Sequence, residues 1–389
     1  MPETIKEFTI PFGNLGIIAL PGCKKLAEKI DRYIVDWRRG RSYESDTAKT
    51  LSGYRRDSYI IDTEIHRFGT GEGKAVIKES VRGHDLFILC DMFNYSVKTR
   101  MYGMDVPMTP DGHFADLKRM IAAVGGRAHR ITVIMPMLYE GRQHKRDNRE
   151  SLDCAMALQE LCELLGVDCL ITFDAHDARV QNAIPLKSFE NVSTAYQMVK
   201  ALVNNFGDVR FDRDKTMIIS PDEGGIHRCI YYSTVLKLEL GMFYKQRDYS
   251  RIVDGRHPIL EHEYLGSDVK GKDVIIVDDM ISSGDSMLDV AKKLKELNAG
   301  RIYIFSAFGL FCNGLDDFDK AYKNGLFDGI FTTNMIYQTP GLLKREWYYS
   351  VEMSKYISLI IDTLNHDKSM SKLLSPTERL QDFLRKNGY

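Results

Sequence analysis

The segment Val274–Ser286 combines groups that could bind a phosphorylated sugar. An apolar run, Val274–Val277, precedes two carboxylates, Asp278 and Asp279, and a helical pattern follows. The turn between them contains Ser282, Ser283, Gly284, Asp285 and Ser286. A helix start after such a turn offers N–H groups and hydroxyls to a phosphate, whereas paired carboxylates suit ribose hydroxyls or a cation beside them. The alternative is a strand that ends in two acids and an ordinary capped turn.

These 13 residues resemble the phosphoribosyl pyrophosphate binding motif of the type I phosphoribosyltransferase fold. The motif alone does not separate enzymes that make this compound from enzymes that consume it. Synthetases of this kind usually carry a third acid where this chain has Ser282, and a glycine where it has Asp285. Because a carboxylate repels a phosphate, we expect Asp285 to face solvent or to pair with a cation.

Further segments resemble the ribose-phosphate pyrophosphokinase family, and the first is Phe68-Gly69-Thr70-Gly71-Glu72. The resemblance implies an adenine-contacting loop. Phe68 could stack on the base, and Thr70 and Glu72 could hydrogen-bond to its edge. Thr70 stands where the family usually has Asp or Asn. A plain strand–turn–strand is the alternative.

The basic segment that begins at Arg142 and Gln143 resembles the family's triphosphate-binding segment, with His144 in place of an acid. Triphosphates need positive charge at short range, which arginine supplies with a fixed fork of donors. The alternative is a solvated basic loop. A similar resemblance makes His176, in Asp174-Ala175-His176, a Mg²⁺ ligand, with Asp222 as its partner. A structural histidine is the alternative there.

Lys245 and Arg247 resemble the pair of cations in the family's flexible catalytic loop. In an extended segment, residues two apart point the same way, so both side chains could face one phosphate chain. The resemblance also implies that Arg142 contributes charge in the transition state. The order of these segments along the chain matches the family.

Helices and strands must position these residues. Along the chain, short runs rich in β-branched residues alternate with longer segments of helical periodicity, and this alternation predicts an α/β fold with mostly parallel sheets. The predicted helices are Ser151–Leu165 and Ser286–Leu297. The predicted strands are Leu86–Leu89, Ile131–Met135, Cys169–Phe173, Thr216–Ser220, Val274–Val277, Ile302–Phe305 and Gly329–Thr332. The resemblance implies two tandem phosphoribosyltransferase-like domains, each a mostly parallel sheet flanked by helices.

We predict domains at 1–190 and 191–345 and a helical tail at 346–389, with an exposed insertion at about 37–58. The 389 residues carry 53 Lys and Arg against 54 Asp and Glu, a balance that argues against a nucleic-acid binder. No run approaches the ~18 apolar residues of a membrane helix. Seven dispersed cysteines without a CxxC pair suggest reduced core thiols and a cytoplasmic protein.

The resemblance as a whole implies a ribose-phosphate diphosphokinase that uses Mg²⁺, ATP and ribose 5-phosphate. It also implies a dimer-based homo-oligomer, commonly a hexamer, in which the Phe68 and Arg142 segments serve a neighbouring subunit's site. Two alternatives stay open. One is a phosphoribosyltransferase that consumes the product. The other is a non-catalytic regulatory homologue, which is consistent with the departures from the family pattern at Ser282, Asp285, Thr70 and His144.

Overall fold

The computed structural model describes residues 9–146, 148–247 and 259–389. The chain divides into two compact units. Unit 1 comprises Met1–Ser193, Met335–Tyr337 and Met353–Leu374, and unit 2 comprises Thr194–Asn334, Gln338–Glu352 and Ser375–Tyr389. The residues of the predicted tail, 346–389, are therefore shared between the units.

The first half of the chain contains nine strands and four α-helices among its described residues: β1 Asn14–Ala19, α1 Lys24–Glu44, α2 Asp46–Thr50, β2 Thr63–Arg67, β3 Gly73–Ile77, β4 His84–Leu89, β5 Lys98–Met101, β6 Met104–Pro107, α3 Pro110–Val124, β7 Arg130–Ile134, α4 Asp153–Gln159, β8 Cys169–Phe173 and β9 Ser188–Val192. The second half continues with α5 Ala195–Asn205, β10 Thr216–Ser220, α6 Ile226–Leu236, β11 Glu239–Arg247, β12 Ile259–Leu265, β13 Asp273–Ile281, α7 Asp285–Glu296, β14 Ile302–Gly309, α8 Asp316–Lys323, β15 Gly329–Thr333, β16 Tyr348–Val351, α9 Ser354–Asn365, α10 Ser371–Leu374 and α11 Thr377–Lys386. A π-helical turn covers Glu160–Leu164, and 3₁₀ turns cover Ala178–Ala183 and Leu342–Lys344.

Unit 1 is built on a parallel sheet in the order β1-β4-β7-β8-β9. The central strands are apolar and buried along nearly their whole length, which is typical of parallel sheets covered on both faces. Two antiparallel hairpins, β2-β3 and β5-β6, stand apart from this sheet. The hairpin β2-β3 agrees with the strand–turn–strand pattern around Phe68.

Unit 2 is built on a seven-stranded sheet in the order β12-β11-β10-β13-β14-β15-β16. Every pair in it is parallel except β11-β12, which is antiparallel. Strands β10 and β13 are neighbours, so the residues after β10 and those at the end of β13 lie at the same edge of the sheet. This edge positions Asp222, Asp278 and Asp279.

The predicted parallel α/β architecture is confirmed, and each predicted strand overlaps an observed one. The predicted helix Ser151–Leu165 is α-helical only from Asp153 to Gln159 and then widens into the π turn. No described helix combines the length and the apolar character needed to cross a membrane. All seven cysteines are free thiols, but Cys312 is exposed, so the prediction that all are core residues is wrong at this position.

The segment 37–58, predicted to be an exposed insertion, is exposed only in part, because some of its residues pack against α9. Arg38 is 1% exposed and donates hydrogen bonds to Asn365 Oδ1 (2.6 Å) and Asp362 Oδ1 (3.4 Å). Its guanidinium also lies over the rings of Tyr54 and Tyr59. Arg41 donates a second hydrogen bond to Asp362. Arg38, Arg41 and Tyr54 are thus partners in a largely buried polar cluster, whereas Tyr43 and Arg55 of the same segment are exposed.

One carboxylate, Asp362, balances both guanidinium groups of this cluster. Burial alone would raise its pKa, but Arg41 and Arg38 hold the pKa below its ordinary value. His366 lies 3.5 Å from the same carboxylate, yet burial lowers its pKa to about 4, so its ring is neutral at pH 7. Asp362 is therefore the charge on which the packing of α1 against α9 depends.

We predict that Asp362→Asn lowers the free energy of unfolding by about 3–5 kcal/mol, since it leaves buried arginines without their counter-charge. Urea unfolding followed by circular dichroism measures the change. Asp317→Asn, which removes an exposed partner of Lys320, is the control and should change stability by less than ~0.5 kcal/mol. Equal effects of the two substitutions would contradict the role given to Asp362.

Candidate functional site

The predicted sugar-phosphate segment forms the junction of β13 and α7. Strand β13 continues to Ile281 rather than ending before Asp278, because its pairing with β14 persists: Asp278 pairs with Ser306, and Ile281 with Gly309. Helix α7 begins at Asp285, one residue earlier than predicted. The paired carboxylates are therefore held on a strand in the middle of the sheet, with a turn of only three residues before the helix.

Gly284 makes this tight turn possible. Its φ of 98° lies in the left-handed region that side chains rarely adopt. A Cβ atom at this position would lie 2.1 Å from Cζ of Phe318, a buried ring of α8. Only glycine fits here, and the close approach fixes the N-terminus of α7 directly after β13.

The serines and Asp285 surround this N-terminus. Ser282 and Ser283 are partly buried, and Asp285 and Ser286 are exposed. The N–H of Cys312 donates to the carbonyl of Ser282 at 2.8 Å, which ties the turn to the end of β14. Asp285 thus faces solvent, as expected if the helix terminus is to receive an anion. As the first residue of α7, its carboxylate is also stabilised by the helix dipole.

Arg228 of α6 is a cation near both Asp278 and Asp279. Its Nη1 lies 3.7 Å from Asp278 Oδ1 and 3.9 Å from Asp279 Oδ1. Burial, reinforced by the charge of Asp279 and that of Asp222, raises the pKa of Asp278 well above its ordinary value, and Arg228 offsets only part of this. The pair is therefore strained electrostatically and favours ligands that donate hydrogen bonds or carry positive charge.

Asp222 belongs to the loop after β10. Its Oδ1 accepts a hydrogen bond from the Gly225 N–H at 3.2 Å, and its carbonyl accepts one from Ser220 Oγ at 2.7 Å. Arg228 follows on the helix that this loop starts. Sequence reasoning missed Arg228, although its place just after the Gly224-Gly225 turn was a signal that it could reach the same edge of the sheet.

In unit 1, the turn of the β2-β3 hairpin carries Phe68, Thr70 and Glu72. The N–H of Phe68 donates to the carbonyl of Glu72 at 2.9 Å, and Thr70 Oγ1 donates to Glu72 Oε2 at 2.9 Å. Phe68 is 54% exposed, so its ring face is open for stacking. The mutual hydrogen bond of Thr70 and Glu72 occupies groups that were predicted to contact a base.

The structure brings the Arg142 segment next to the His176 segment. The rings of His144 and His176 meet edge to face with their centroids 5.2 Å apart. His144 Nε2 also lies 3.5 Å from Asp177 Oδ2. Arg142 and Gln143 are exposed beside them. Asp177 and its partner Arg179 were not among the predicted site residues, and only their proximity in sequence to His176 pointed to them.

Lys245 and Arg247 are the remaining predicted site residues. The backbone of Lys245 and Arg247 is extended at the end of β11 and pairs with β12, but their side chains lie outside the described residues. Within the described ranges, no three His, Cys, Asp or Glu side chains gather in a group that could hold a metal ion.

Three family models match the chain in succession. A model of the N-terminal domain of ribose phosphate pyrophosphokinase matches residues 15–164, a phosphoribosyl transferase domain model matches 188–310, and a phosphoribosyl synthetase-associated domain model matches 256–375. The chain belongs to the ribose-phosphate pyrophosphokinase family. The match of residues 15–164 distinguishes this family from the phosphoribosyltransferases. The phosphoribosyl transferase domain model matches only residues 188–310, the region that contains Asp278.

Similar proteins support this assignment. Ribose-phosphate pyrophosphokinase A of Dictyostelium discoideum is 25% identical over 81% of this chain and 90% of its own length. Ribose-phosphate pyrophosphokinase B of the same organism is 29% identical over 65% and 73%. The crystal structure of phosphoribosylpyrophosphate synthetase from Mycobacterium smegmatis superposes with a TM-score of 0.69 at 20% identity, covering 91% of this chain and 99% of that one. The predicted fold of tandem phosphoribosyltransferase-like domains is confirmed.

We predict that Asp278→Asn raises the melting temperature of the ligand-free protein by a few degrees at pH 7–8. Below the unfolded-state pKa near ~4, Asp278 is protonated whether folded or not, and the substitution has little effect. As pH rises, the unfolded chain loses its proton first, so wild-type stability falls until the raised folded-state pKa is passed. Thermal melts across pH 4–8 measure the difference, which should grow with pH. A difference that shrinks with pH would contradict the electrostatic account.

Proposed function

We propose that the chain transfers the pyrophosphoryl group of ATP to the 1-hydroxyl of ribose 5-phosphate, giving phosphoribosyl pyrophosphate and AMP. The observation that carries this proposal is the match of residues 15–164 to the pyrophosphokinase N-terminal domain, in a chain that also has a carboxylate pair ahead of α7. A phosphoribosyltransferase that consumes the product would need only the second feature.

Ribose 5-phosphate is assigned to the junction of β13 and α7. The N-terminus of α7, with the backbone and hydroxyls of Ser283, Gly284 and Ser286, offers donors to the 5-phosphate. The carboxylates of Asp278 and Asp279 accept hydrogen bonds from the 2- and 3-hydroxyls. The raised pKa of Asp278 is supporting evidence, because hydrogen bonds from bound hydroxyls would stabilise the charged carboxylates and offset their desolvation and repulsion.

ATP is assigned to residues of unit 1 and to the Lys245 segment. The exposed ring of Phe68 stacks on adenine, and Thr70 and Glu72 exchange their mutual hydrogen bond for contacts with its edge. Arg142 and Gln143 bind the phosphates. Because family resemblance gives the Phe68 and Arg142 segments to a neighbouring subunit's site, we propose that the chain works as a dimer-based homo-oligomer, commonly a hexamer.

In the reaction the 1-oxygen of ribose attacks the β-phosphorus of ATP, the bond from that phosphorus to the oxygen bridging the α-phosphate breaks, and AMP leaves with the bridging oxygen. The hydroxyl proton passes to solvent. Little covalent chemistry is asked of the protein, so positioning and charge neutralisation lower the barrier. Lys245, Arg247 and Arg142 supply positive charge where negative charge develops.

Mg²⁺ is proposed to neutralise the diphosphate, held by His176 and Asp222. The donor set fits this ion in part. The carboxylate of Asp222 is the kind of oxygen ligand that Mg²⁺ prefers, and the ion retains several waters, which agrees with few protein ligands. His176 supplies a nitrogen instead. The free thiols support a proposed reducing, cytoplasmic location.

The proposal is tested by measuring AMP release from ATP with purified protein. We expect release that requires both ribose 5-phosphate and Mg²⁺, with phosphoribosyl pyrophosphate formed in equal amount. Under these conditions, AMP release independent of ribose 5-phosphate would contradict the proposal. No release, together with normal binding of both substrates, would favour the non-catalytic regulatory homologue, which the substitutions at Ser282 and Asp285 keep as the second candidate.

We predict that Lys245→Ala and Arg247→Ala each lower kcat by on the order of 10²–10³ while KM for ribose 5-phosphate changes little, since their contacts are strongest in the transition state. Steady-state kinetics with saturating ATP separates the two parameters. Lys237→Ala, a substitution of a lysine on the same unit, is the control. Losses confined to KM would contradict the catalytic assignment.

A further inference from the structure

The turn between β2 and β3, to which we assign the nucleotide base, is closed by an arginine side chain. Arg67 is the last residue of β2, directly before the turn. Its Nη1 donates a hydrogen bond to the carbonyl of Gly71 at 3.2 Å. Gly71 lies between Thr70 and Glu72, so this bond spans the turn from its first side to its second and limits how far the two can separate.

Helix α3 holds the other end of the same guanidinium group. Nη2 of Arg67 lies 2.6 Å from Oδ1 of Asp116, whose side chain is 2% exposed. Nη2 also donates to the carbonyl of Gly112 at 3.5 Å. Ion pairs with hydrogen bonds between charged groups are short and directional, and the planar guanidinium transmits that direction to its second nitrogen. The buried carboxylate therefore fixes the nitrogen that binds the turn.

Asp116 pairs with a second arginine, which provides an internal comparison. Arg119 of α3 donates from Nη1 to the same Oδ1 at 2.8 Å. Both guanidinium groups approach the start of β3, because a Cβ atom on Gly73 would lie 2.8 Å from Nη1 of Arg67 and 3.0 Å from Nη1 of Arg119. Of the residues that the structure describes, however, Arg119 bonds to Asp116 alone. The two arginines share an ion pair and differ in the bond to Gly71.

A second hairpin holds the turn from its other side. Tyr102, in the connection between β5 and β6, donates its N–H to the carbonyl of Gly69 at 3.2 Å. The carbonyls on both sides of Thr70 are thus bonded to groups outside the turn, while Phe68 and Thr70 keep exposed side chains. A backbone that is fixed before its ligand arrives loses less conformational freedom on binding.

We propose that Arg67, anchored by Asp116, is a positioning residue for the nucleotide base. It does not touch the base but fixes, through Gly71, the turn that presents Phe68 and Thr70. The inference rests on the proposed function in taking this turn as the place where the base of ATP binds. Its consequence is that Arg67 controls affinity for the base and has no direct part in the transfer step.

Calorimetry of ATP binding to the full-length protein, without ribose 5-phosphate, tests the proposal. We expect Arg67→Met to weaken ATP binding about 3- to 10-fold, the size of the cost of ordering a loop that was ordered before. Inorganic tripolyphosphate, which has no base, should bind the variant and the wild type equally. In steady-state kinetics, KM for ATP should rise while kcat and KM for ribose 5-phosphate change little.

Two further variants separate positioning from charge and from stability. Arg119→Met is the matched control, because it removes a cation from the same Asp116 oxygen and leaves the bond to Gly71 in place. Its ATP affinity should equal that of the wild type. Arg67→Lys keeps the charge but lacks the fork of donors that reaches two acceptors, so its ATP affinity should also fall. Circular dichroism verifies folding, and if Arg67→Met does not fold, Arg67→Lys provides the comparison.

Unchanged ATP affinity in the folded Arg67 variants would overturn the inference, as would an equal loss in Arg119→Met or an equal loss of tripolyphosphate binding. The proposed function is decided separately, by AMP release. If the wild type binds ATP through Arg67 but releases no AMP, the proposed reaction is wrong and the positioning role stands. If AMP is released and ATP affinity ignores Arg67, the reverse holds. A wild type that binds no ATP would contradict both.

Discussion

Asp278 and Asp279 are adjacent acids on a central strand, and Arg228 lies almost 4 Å from both. Burial and like charge make this pair costly in the ligand-free protein. The sheet holds it in place nonetheless, because β13 pairs with β10 as far as Ile276 and with β14 from Val274 to Ile281. Acceptors held rigidly by the sheet would need little reorganisation to bind the proposed sugar hydroxyls, so the stability of the sheet would serve the proposed site.

The same strand determines where α7 begins, and its N-terminus is the proposed phosphate site. Since Gly284 lies against Phe318 and leaves no room for a side chain, the first turn of α7 starts at a fixed point behind the carboxylates. Donors for a phosphate and acceptors for sugar hydroxyls are thereby separated by a few residues of rigid backbone. In unit 1 the groups assigned to ATP lie on a hairpin turn and on loops, where Phe68 and Arg142 are exposed.

Sequence reasoning predicted the parallel strands well, because strands buried on both faces are recognisable as apolar runs, as in β8 and β10. It failed where burial is achieved by polar pairing. Arg38, Arg41 and Tyr54 have the composition of a surface segment, and only the distant Asp362 and Asn365 explain their burial. Contacts between residues more than 300 positions apart leave no local pattern. Arg228 was missed for the same reason, because its partner Asp278 lies 50 residues away in sequence.

Asp285 shows how exposure decides the sign and size of an electrostatic effect. At an effective dielectric constant of ~20, a carboxylate ~6 Å from a phosphate dianion would oppose binding by several kcal/mol. The structure places Asp285 at the surface, where water and salt screen the repulsion. As the first residue of α7 it also gains about 0.3–1 kcal/mol from the helix dipole. The helix dipole stabilises Asp285 whether or not a phosphate is bound. This stabilisation therefore does not offset the repulsion between Asp285 and a bound phosphate. Asp285 therefore stabilises the helix on which we propose that the phosphate binds, and its exposure lowers the electrostatic cost to that binding.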